Sequence, residues 1–185
     1  PGTDLSSGTV TATGRELDIA VNGDGWLAVQ TADGGEAYTR AGDLRVSSNG
    51  QLVNGAGHAV LGNSGPIAIP PSEKIEIGVD GTITSRALGQ APNTLAAVDR
   101  IRLVNPPKAE LTKGTDGLMR LRSGAPADVD VNVRLVPGSL ESSNVNAVEA
   151  MVNMITLSRQ FEMQVKAMRT TEEIDQSAAQ ILRMS

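Results

Sequence analysis

The sequence predicts a mainly β protein of many short antiparallel strands that ends in one long α-helix. From Leu17 to about Val136, short apolar runs tend to alternate with polar residues and are separated by Gly, Asn, Asp and Pro, a pattern typical of an all-β domain. Residues 146–184 contain no Gly or Pro and are mostly good helix formers. The predicted domains are an extended N-terminal linker (1–16), an all-β domain (17–137), a second linker (138–145) and a C-terminal assembly helix of coiled-coil type (146–185).

The strands of the β domain are short and closely spaced. Candidates recur about every ten residues, as in sandwiches, barrels and meanders, whereas a βαβ fold needs helical patterns between its strands. The candidate strands are residues 17–21, 26–30, 37–40, 44–47, 51–53, 59–61, 67–69, 74–79, 82–85, 98–104, 117–122 and 129–136. In the last of these, alternation predicts that Asp128, Asp130 and Asn132 face solvent while Val129, Val131 and Val133 are buried.

The connections between these strands carry turn residues. Asn-Gly and Asp-Gly pairs tolerate the positive φ that tight turns between twisted antiparallel strands require. Such pairs occur at 22–23, 24–25, 49–50, 54–55 and 80–81. Pro70-Pro71 and Pro106-Pro107 cannot donate to a strand ladder, and we expect them at strand ends.

The C-terminal helix begins with a capping signal and carries a regular apolar stripe. Asn146 is suited to cap the first turn, and Glu149 to return the bond as in a capping box. The stripe has the alternating four-and-three spacing of a coiled coil, with Ser158 filling one gap. Its apolar members are Met151, Met154, Phe161, Val165 and Met168, and after a slip in register it resumes at Ile174, Ala178 and Ile181.

A second apolar side of this helix is formed by Val148, Val152 and Ile155. At ~1.5 Å per residue some forty residues span about 60 Å, which is longer than a small β domain can cover. Two apolar sides therefore predict more than one partner. The predicted subunit contacts are Val148, Met151, Val152, Met154, Ile155, Phe161, Val165, Met168, Ile174 and Ile181. The pattern also admits an antiparallel dimer in which two such helices pair.

The sequence offers no constellation of catalytic or metal-binding residues. The one histidine, His58, lies between turn glycines without convergent partners, as turn and strand-edge histidines do. The stretch NGDG at 22–25 lacks both the ligand spacing of a calcium loop and the following helix of a phosphate site. No nucleophile elbow, P-loop or dinucleotide fingerprint occurs. We therefore expect no enzymatic activity, cofactor or small-molecule substrate.

The composition narrows the range of partners. The formal net charge is −5 and basic residues are not clustered, which argues against binding nucleic acid. The chain has no cysteine and only three aromatic residues, Trp26, Tyr38 and Phe161. A carbohydrate-binding β module with a coiled-coil tail stays open as an alternative, although sugar platforms usually need more surface aromatics than this.

Two blocks of the sequence resemble the rod and hook family of flagellar axial proteins. Residues 138–168, GSLESSNVNAVEAMVNMITLSRQFEMQVKAM, are similar to that family's C-terminal signature, which opens with Leu-Glu-x-Ser-Asn-Val-Asn. Residues 13–62 resemble its β region, including the Tyr-Thr-Arg-x-Gly motif at 38–42 and the Gly-Gln-Leu-Val hairpin at 50–53. Within the family, the proximal rod branch shares most with this chain, through residues 25–30, 103–107 and 159–164.

The resemblance implies a structural subunit of the bacterial flagellar basal body, in the proximal part of the rod that crosses the periplasm and transmits torque. It implies export through the flagellar export apparatus without a cleaved signal, and partners among the other rod subunits. A distal rod or hook subunit stays open. Family members begin with a helix containing an Ala-Asn-Asn-Leu-Ala-Asn-like motif, and nothing like it precedes Pro1, so we expect that the helix's own intramolecular partner is missing from this chain.

Overall fold

The computed structural model describes residues 7–91, 94–143, 151–152 and 154–169. The chain divides into two units, Pro1–Asn144 and Val145–Ser185. Every strand that the structure describes lies in the first unit, and the α-helix lies in the second. The predicted fold class, mainly β with a long C-terminal helix, is confirmed.

Within its described residues the first unit has fifteen strands, numbered here in chain order. They are β1 Val10–Ala12, β2 Ile19–Asn22, β3 Trp26–Gln30, β4 Glu36–Thr39, β5 Arg45–Val46, β6 Leu52–Val53, β7 Ala59–Val60, β8 Ser72–Ile77, β9 Thr82–Ala87, β10 Ala96–Arg100, β11 Leu103–Val104, β12 Leu111–Lys113, β13 Met119–Leu121, β14 Arg134–Pro137 and β15 Ser139–Glu141. A single 3₁₀ turn, Lys108–Glu110, precedes β12 within the described residues.

The strands form several antiparallel sheets rather than a closed barrel. The largest sheet has the order β12-β13-β4-β3-β7-β6-β5, and β11 also pairs with β3. A second sheet has the order β10-β9-β8, and two further pairs are β1-β15 and β14-β2. The pair β1-β15 joins strands from opposite ends of the unit, since Val10 lies opposite Glu141 and Ala12 opposite Ser139.

Strand β3 is central because both of its faces are buried. Its alternate residues Leu27 and Val29 belong to the main core cluster, which also contains Leu44, Leu52 and Ile67. Trp26 and Ala28 point the other way, into a second cluster with Tyr38 and six further buried or half-buried side chains. Because both faces of this strand are covered, its successive residues are all apolar, as in the sequence WLAV at 26–29.

Most candidate strands coincide with observed ones. The prolines also fall where predicted, because Pro70-Pro71 immediately precede β8 and Pro106-Pro107 lie between β11 and the 3₁₀ turn. His58 lies in the turn before β7, where its backbone N–H donates to the side-chain oxygen of Asn54 at 2.9 Å. The structure therefore confirms the interpretation of His58 as a turn residue.

The predicted strand over 129–136 is wrong in its first half. Strand β14 begins only at Arg134, and Val129 and Val131 are 47% and 59% exposed instead of buried. The cause is a turn, because the Asp130 carboxylate accepts hydrogen bonds from the backbone and the side-chain nitrogens of Asn132, at 2.8 and 3.0 Å. The backbone bond from Asn132 lowers the pKa of the Asp130 carboxyl. A local bond of this kind competes with a strand ladder.

Other predicted elements also differ. The candidate over 98–104 is two strands, β10 and β11, which lie in different sheets. The candidate over 67–69 makes only an isolated bridge between Gln51 and Ala68, although Ile67 and Ile69 are buried. Strand β12 was not predicted. Strands β1 and β15 lie inside the two segments assigned to linkers, which are therefore partly paired rather than merely extended.

The second unit contains helix α1, described at residues 151–152 and 154–169. The hydroxyl of Thr156 donates to the carbonyl of Val152 at 2.8 Å, so this polar group is satisfied within the helix. Among the described residues, α1 included, no helix combines the length and hydropathy that a membrane span requires.

Candidate subunit interface

Helix α1 carries large apolar side chains that are exposed in this chain. Met154 is 71% exposed and Phe161 is 67% exposed. The other exposed members are Met151, Val152, Ile155, Leu157, Met163 and Met168, and Val165 is half-buried. Exposed apolar side chains that adjoin one another mark a site for association with another surface.

The structure describes the positions of seven of the ten predicted contact residues. Met151, Val152, Met154, Ile155, Phe161, Val165 and Met168 all lie on the described helix. The remaining three, Val148, Ile174 and Ile181, lie outside the described residues, as do the predicted caps Asn146 and Glu149. Their roles, and that of the whole set as an interface, stay predictions.

Two exposed residues were missed by the sequence analysis. Leu157 lies three residues after Met154 and four before Phe161, so it belongs to the same apolar stripe and widens it around Ser158. Met163 extends the second apolar side. There it lines a shallow groove together with Val152, Ile155, Thr156, Arg159 and Gln160. Counting every i+3 and i+4 pair, rather than following one heptad, would have found both residues.

In the first unit, a partly buried ion pair lies where β15 ends. The Arg40 Nε lies 2.8 Å from the Glu141 Oε2, and the two side chains are 14% and 7% exposed. The other Arg40 nitrogens donate to the carbonyl oxygens of Gly25, at 2.7 Å, and Gly23, at 2.8 Å. The guanidinium carbon also lies 5.7 Å from the centre of the Trp26 ring. Arg40 therefore joins β15 to the turn between β2 and β3.

These two residues come from the two blocks that carry the family resemblance. Arg40 is the arginine of Tyr-Thr-Arg-x-Gly, and Glu141 is the glutamate of Leu-Glu-x-Ser-Asn-Val-Asn. Both motifs are recognisable in the sequence, but the sequence pattern predicts no role for either residue. Nothing in the local spacing joins two residues that are 101 positions apart, so only the fold reveals their contact.

The tyrosine of the same motif holds a second buried group together. The Tyr38 hydroxyl accepts the backbone N–H of Ala127 at 2.7 Å and donates to the Glu36 Oε1 at 3.0 Å. Arg102 donates to the Ala127 carbonyl at 2.9 Å, and its Nε lies 3.7 Å from the same Glu36 oxygen. The long segment between β13 and β14 is thus fastened to β4.

Replacing Tyr38 with Phe is expected to lower the free energy of unfolding by about 1–2 kcal/mol, because the buried N–H of Ala127 loses its acceptor. Burial raises the pKa of Tyr38 to about 12. Above about pH 10 the unfolded chain releases this proton while the folded chain keeps it, so stability falls as the pH rises from about 10 towards 12. Tyr38 is the only tyrosine, and tyrosinate absorbance reports it alone.

A titration of the native and denatured protein by ultraviolet absorbance checks this pKa. We expect tyrosinate to form near the ordinary pKa only in denaturant. The Tyr38→Phe variant is expected to lose the part of the alkaline destabilisation that Tyr38 causes. An ordinary pKa in the native protein would contradict the buried position of the hydroxyl.

No group of three or more His, Cys, Asp or Glu side chains that could hold a metal ion occurs in the described residues. The partly buried charged side chains of Arg40, Glu141, Glu36 and Arg102 make the structural pairs described above. Among the described residues, the exposed apolar side chains of α1 are therefore the candidate site for contact with another protein.

Comparison with known proteins gives matches across this chain. The family model described as flagellar basal body rod FlgEFG protein C-terminal matches residues 136–181, and that described as flagellar hook protein FlgE/F/G D1 domain matches residues 20–85. Flagellar basal-body rod protein FlgF from Salmonella typhimurium is 44% identical over 191 residues, covering 100% of this chain and 76% of that protein. FlgF from Escherichia coli K12 has the same identity and coverage. FlgG from Buchnera aphidicola subsp. Schizaphis graminum is 33% identical, over 95% of this chain and 69% of that protein.

Proposed function

The chain belongs to the family of the flagellar basal-body rod protein FlgF, and from that premise we propose that it is a structural subunit of the proximal rod. In this role it assembles through its helical segment with neighbouring rod and hook axial subunits. The assembled rod crosses the periplasm and transmits torque to the filament. The subunit reaches the rod through the flagellar export apparatus, without a cleaved signal peptide.

The observation that carries the proposal is the exposed apolar surface on two sides of α1. Burying one Leu, Met or Phe side chain is worth about 1.5–3 kcal/mol, so a stripe such as Met154, Leu157 and Phe161 has much to gain from a partner. A second side, with Val152, Ile155 and Met163, provides for a different neighbour. A subunit that touches neighbours through two different faces can build an open helical assembly.

The same surface couples assembly of the subunit to ordering of its helix. An amphipathic helix gains most of its stability from packing of its apolar face rather than from intrinsic propensity. The first unit, by contrast, has a complete core of its own, in which Ile19, Leu27, Leu44 and Ile67 are 0–1% exposed. We therefore infer that the β unit folds before assembly and that the helix is stabilised by neighbours. The role is structural and requires no reaction, cofactor or small-molecule substrate.

The 44% identity to FlgF of Salmonella typhimurium and of Escherichia coli K12, against 33% to FlgG of Buchnera aphidicola subsp. Schizaphis graminum, favours the proximal rod over the distal rod, which stays the alternative. The two positions differ in copy number and location. A small tag at the exposed turn residue Gly34 would mark the subunit in purified basal bodies observed by electron cryomicroscopy. The proposal predicts a few copies next to the export gate. Labelling along a long stretch under the bushing rings would favour the distal rod, and no label in the rod would overturn the proposal.

A further inference from the structure

The pair of strands β1 and β15 is a narrow ribbon that needs an anchor. An isolated two-stranded ribbon is marginally stable in water. All three residues of β1 are exposed, and in β15 only Ser139 is buried. Little apolar area is thus available to hold the ribbon on the rest of the unit. The chain that leaves β15 at Glu141 continues along the sequence to the residues of α1.

One carboxylate joins both strands of this ribbon to the β unit. The Glu141 Oε2 accepts from Arg40, and its Oε1 accepts the backbone N–H of Gly8 at 2.6 Å. Next to it, the backbone N–H of Ser142 donates to the carbonyl of Thr9 at 2.8 Å. A Cβ atom at Gly8 would lie 1.8 Å from the Ser142 carbonyl oxygen. The two chain segments therefore lie too close together for a side chain at position 8.

Arg40 is itself fixed without the help of Glu141. Its bonds to the carbonyls of Gly23 and Gly25 and its position beside the Trp26 ring hold the guanidinium against the turn between β2 and β3. Planar guanidinium groups suit this arrangement, because their donors point in fixed directions and can satisfy carbonyls and a carboxylate together. A lysine has the charge but not this geometry.

The opposite end of the ribbon has an anchor of its own. The hydroxyl of Thr13 donates to the buried carboxylate of Asp18 at 2.7 Å, and the Gly138 N–H donates to the Asp18 carbonyl at 2.7 Å. The ribbon is therefore held at both ends, by Asp18 at one and by Arg40 and Glu141 at the other. Force applied to the chain beyond Ser142 first meets the anchor at Arg40 and Glu141.

We propose that Arg40 and Glu141 are positioning residues that fasten the β1-β15 ribbon to the β unit, so that load on the assembly helix passes to the sheet without peeling the ribbon away. This inference rests on the proposed rod function for the origin of the load. The anchoring itself is a property of the isolated chain. The two parts can therefore be tested separately.

Hydrogen exchange on the purified chain tests the anchoring with the variant Glu141→Gln. Loss of the charge leaves the partly buried Arg40 without its counter-ion, so we expect the amides of Gly8 and Ser142 to exchange at least about tenfold faster. The amides of Ala28 and Leu52, which bond to Arg102 and Ile67 in the core, are expected to stay within about twofold of the parent. Arg40→Lys is a milder second variant. We expect the amides of Gly8 and Ser142 to lose protection in this variant as well, by less than in Glu141→Gln, while those of Ala28 and Leu52 keep theirs.

Asp116→Asn is the matched control, because it removes the charge of an exposed ion pair with Arg120 in the β12-β13 hairpin. We expect no change in the ribbon amides of this variant. Unchanged ribbon protection in Glu141→Gln and Arg40→Lys would overturn the anchoring, and so would an equal loss of protection at Ala28 and Leu52, which would indicate general destabilisation.

Swimming at raised viscosity tests the mechanical part in cells that carry the full-length protein. Glu141→Gln is expected to reduce swimming speed at least about twofold more than Asp116→Asn, with basal bodies still present in normal number. Equal speeds for the two variants would overturn the role in bearing load. They would not affect the conclusion on anchoring, which depends on the exchange measurement. If the proposed rod function is wrong, cells lacking the whole protein still build rods, and this outcome is distinct from both.

Discussion

The substitution Phe161→Asp is expected to abolish rod assembly and swimming while the β unit stays folded. Phe161 is 67% exposed in the chain, so a charge there costs the isolated protein little. In the proposed interface this position is buried against a neighbour, and there the loss of a Phe side chain would cost on the order of 3–5 kcal/mol and burial of an unpaired charge would add to that. The loss recurs at every subunit contact of this kind.

Complementation of a strain that lacks the protein measures this effect, with swimming in soft agar and purified basal bodies as readouts. Gln164→Asp is the matched control, because it makes the same charge change at an exposed polar position of the helix that belongs neither to the stripe nor to the groove. Met154→Asp is expected to behave like Phe161→Asp. Normal swimming of the Phe161→Asp strain would refute the assignment of this stripe to an interface.

The substitution Gly42→Ala is expected to destabilise the β unit by about 3 kcal/mol or more, among the larger effects of single substitutions. A Cβ at this position would lie 1.8 Å from the carbonyl oxygen of Ile19, which is a backbone atom and cannot rotate away. The close approach is fixed from both sides, since the N–H groups of Ile19 and Leu44 both donate to the Gly42 carbonyl, at 2.9 and 3.0 Å. This contact explains the glycine that ends the Tyr-Thr-Arg-x-Gly motif.

Thermal unfolding followed by circular dichroism measures the effect. For a domain of this size, each kcal/mol lowers Tm by roughly 2–4 °C, so Gly42→Ala is expected to lower it by roughly 6–12 °C. Gly34→Ala is the control, because no atom lies within 4 Å of its added Cβ and only its positive φ of +84° opposes the change. That variant is expected to lose about 1 kcal/mol. Equal losses in the two variants would show that the contact with Ile19 does not limit position 42.

The sequence predicted the parts of the fold that local pattern determines. The run WLAV predicts a strand, and β3 occupies those residues with both faces buried. The absence of Gly and Pro after residue 146 predicts the helix, and α1 is helical at 151–152 and 154–169. In these stretches propensity, periodicity and tertiary packing favour the same structure.

The features that the sequence did not predict depend on contacts between residues far apart in the chain or on a single local hydrogen bond. Strands β1 and β15 are short and carry no apolar alternation, and each is a strand only because the other lies beside it. The ion pair of Arg40 and Glu141 depends on the same long-range pairing. At 129–131 the alternating valines predicted a buried face, but the bonds from Asn132 to Asp130 turn the chain, and of the three valines only Val133 is buried as predicted.

The exposed apolar surface of α1 was partly predicted from sequence. A single heptad found Met154, Phe161, Val165 and Met168 and missed Leu157, which the i+3 spacing from Met154 places on the same stripe. What periodicity cannot supply is the partner of each side. Apolar spacing describes a surface that will be buried, and the identity of the neighbour depends on residues of another chain.

The most direct measurement of the central claim is the chemical accessibility of α1 in assembled rods. The chain has no cysteine, so Leu157→Cys and Met163→Cys each introduce one reactive thiol, one on each apolar side of the helix. We predict that a maleimide labels both variants in the purified chain, fails to label either in intact basal bodies, and labels both again after the same basal bodies are dissociated in denaturant. Full labelling of both positions in intact basal bodies would contradict assembly through this helix.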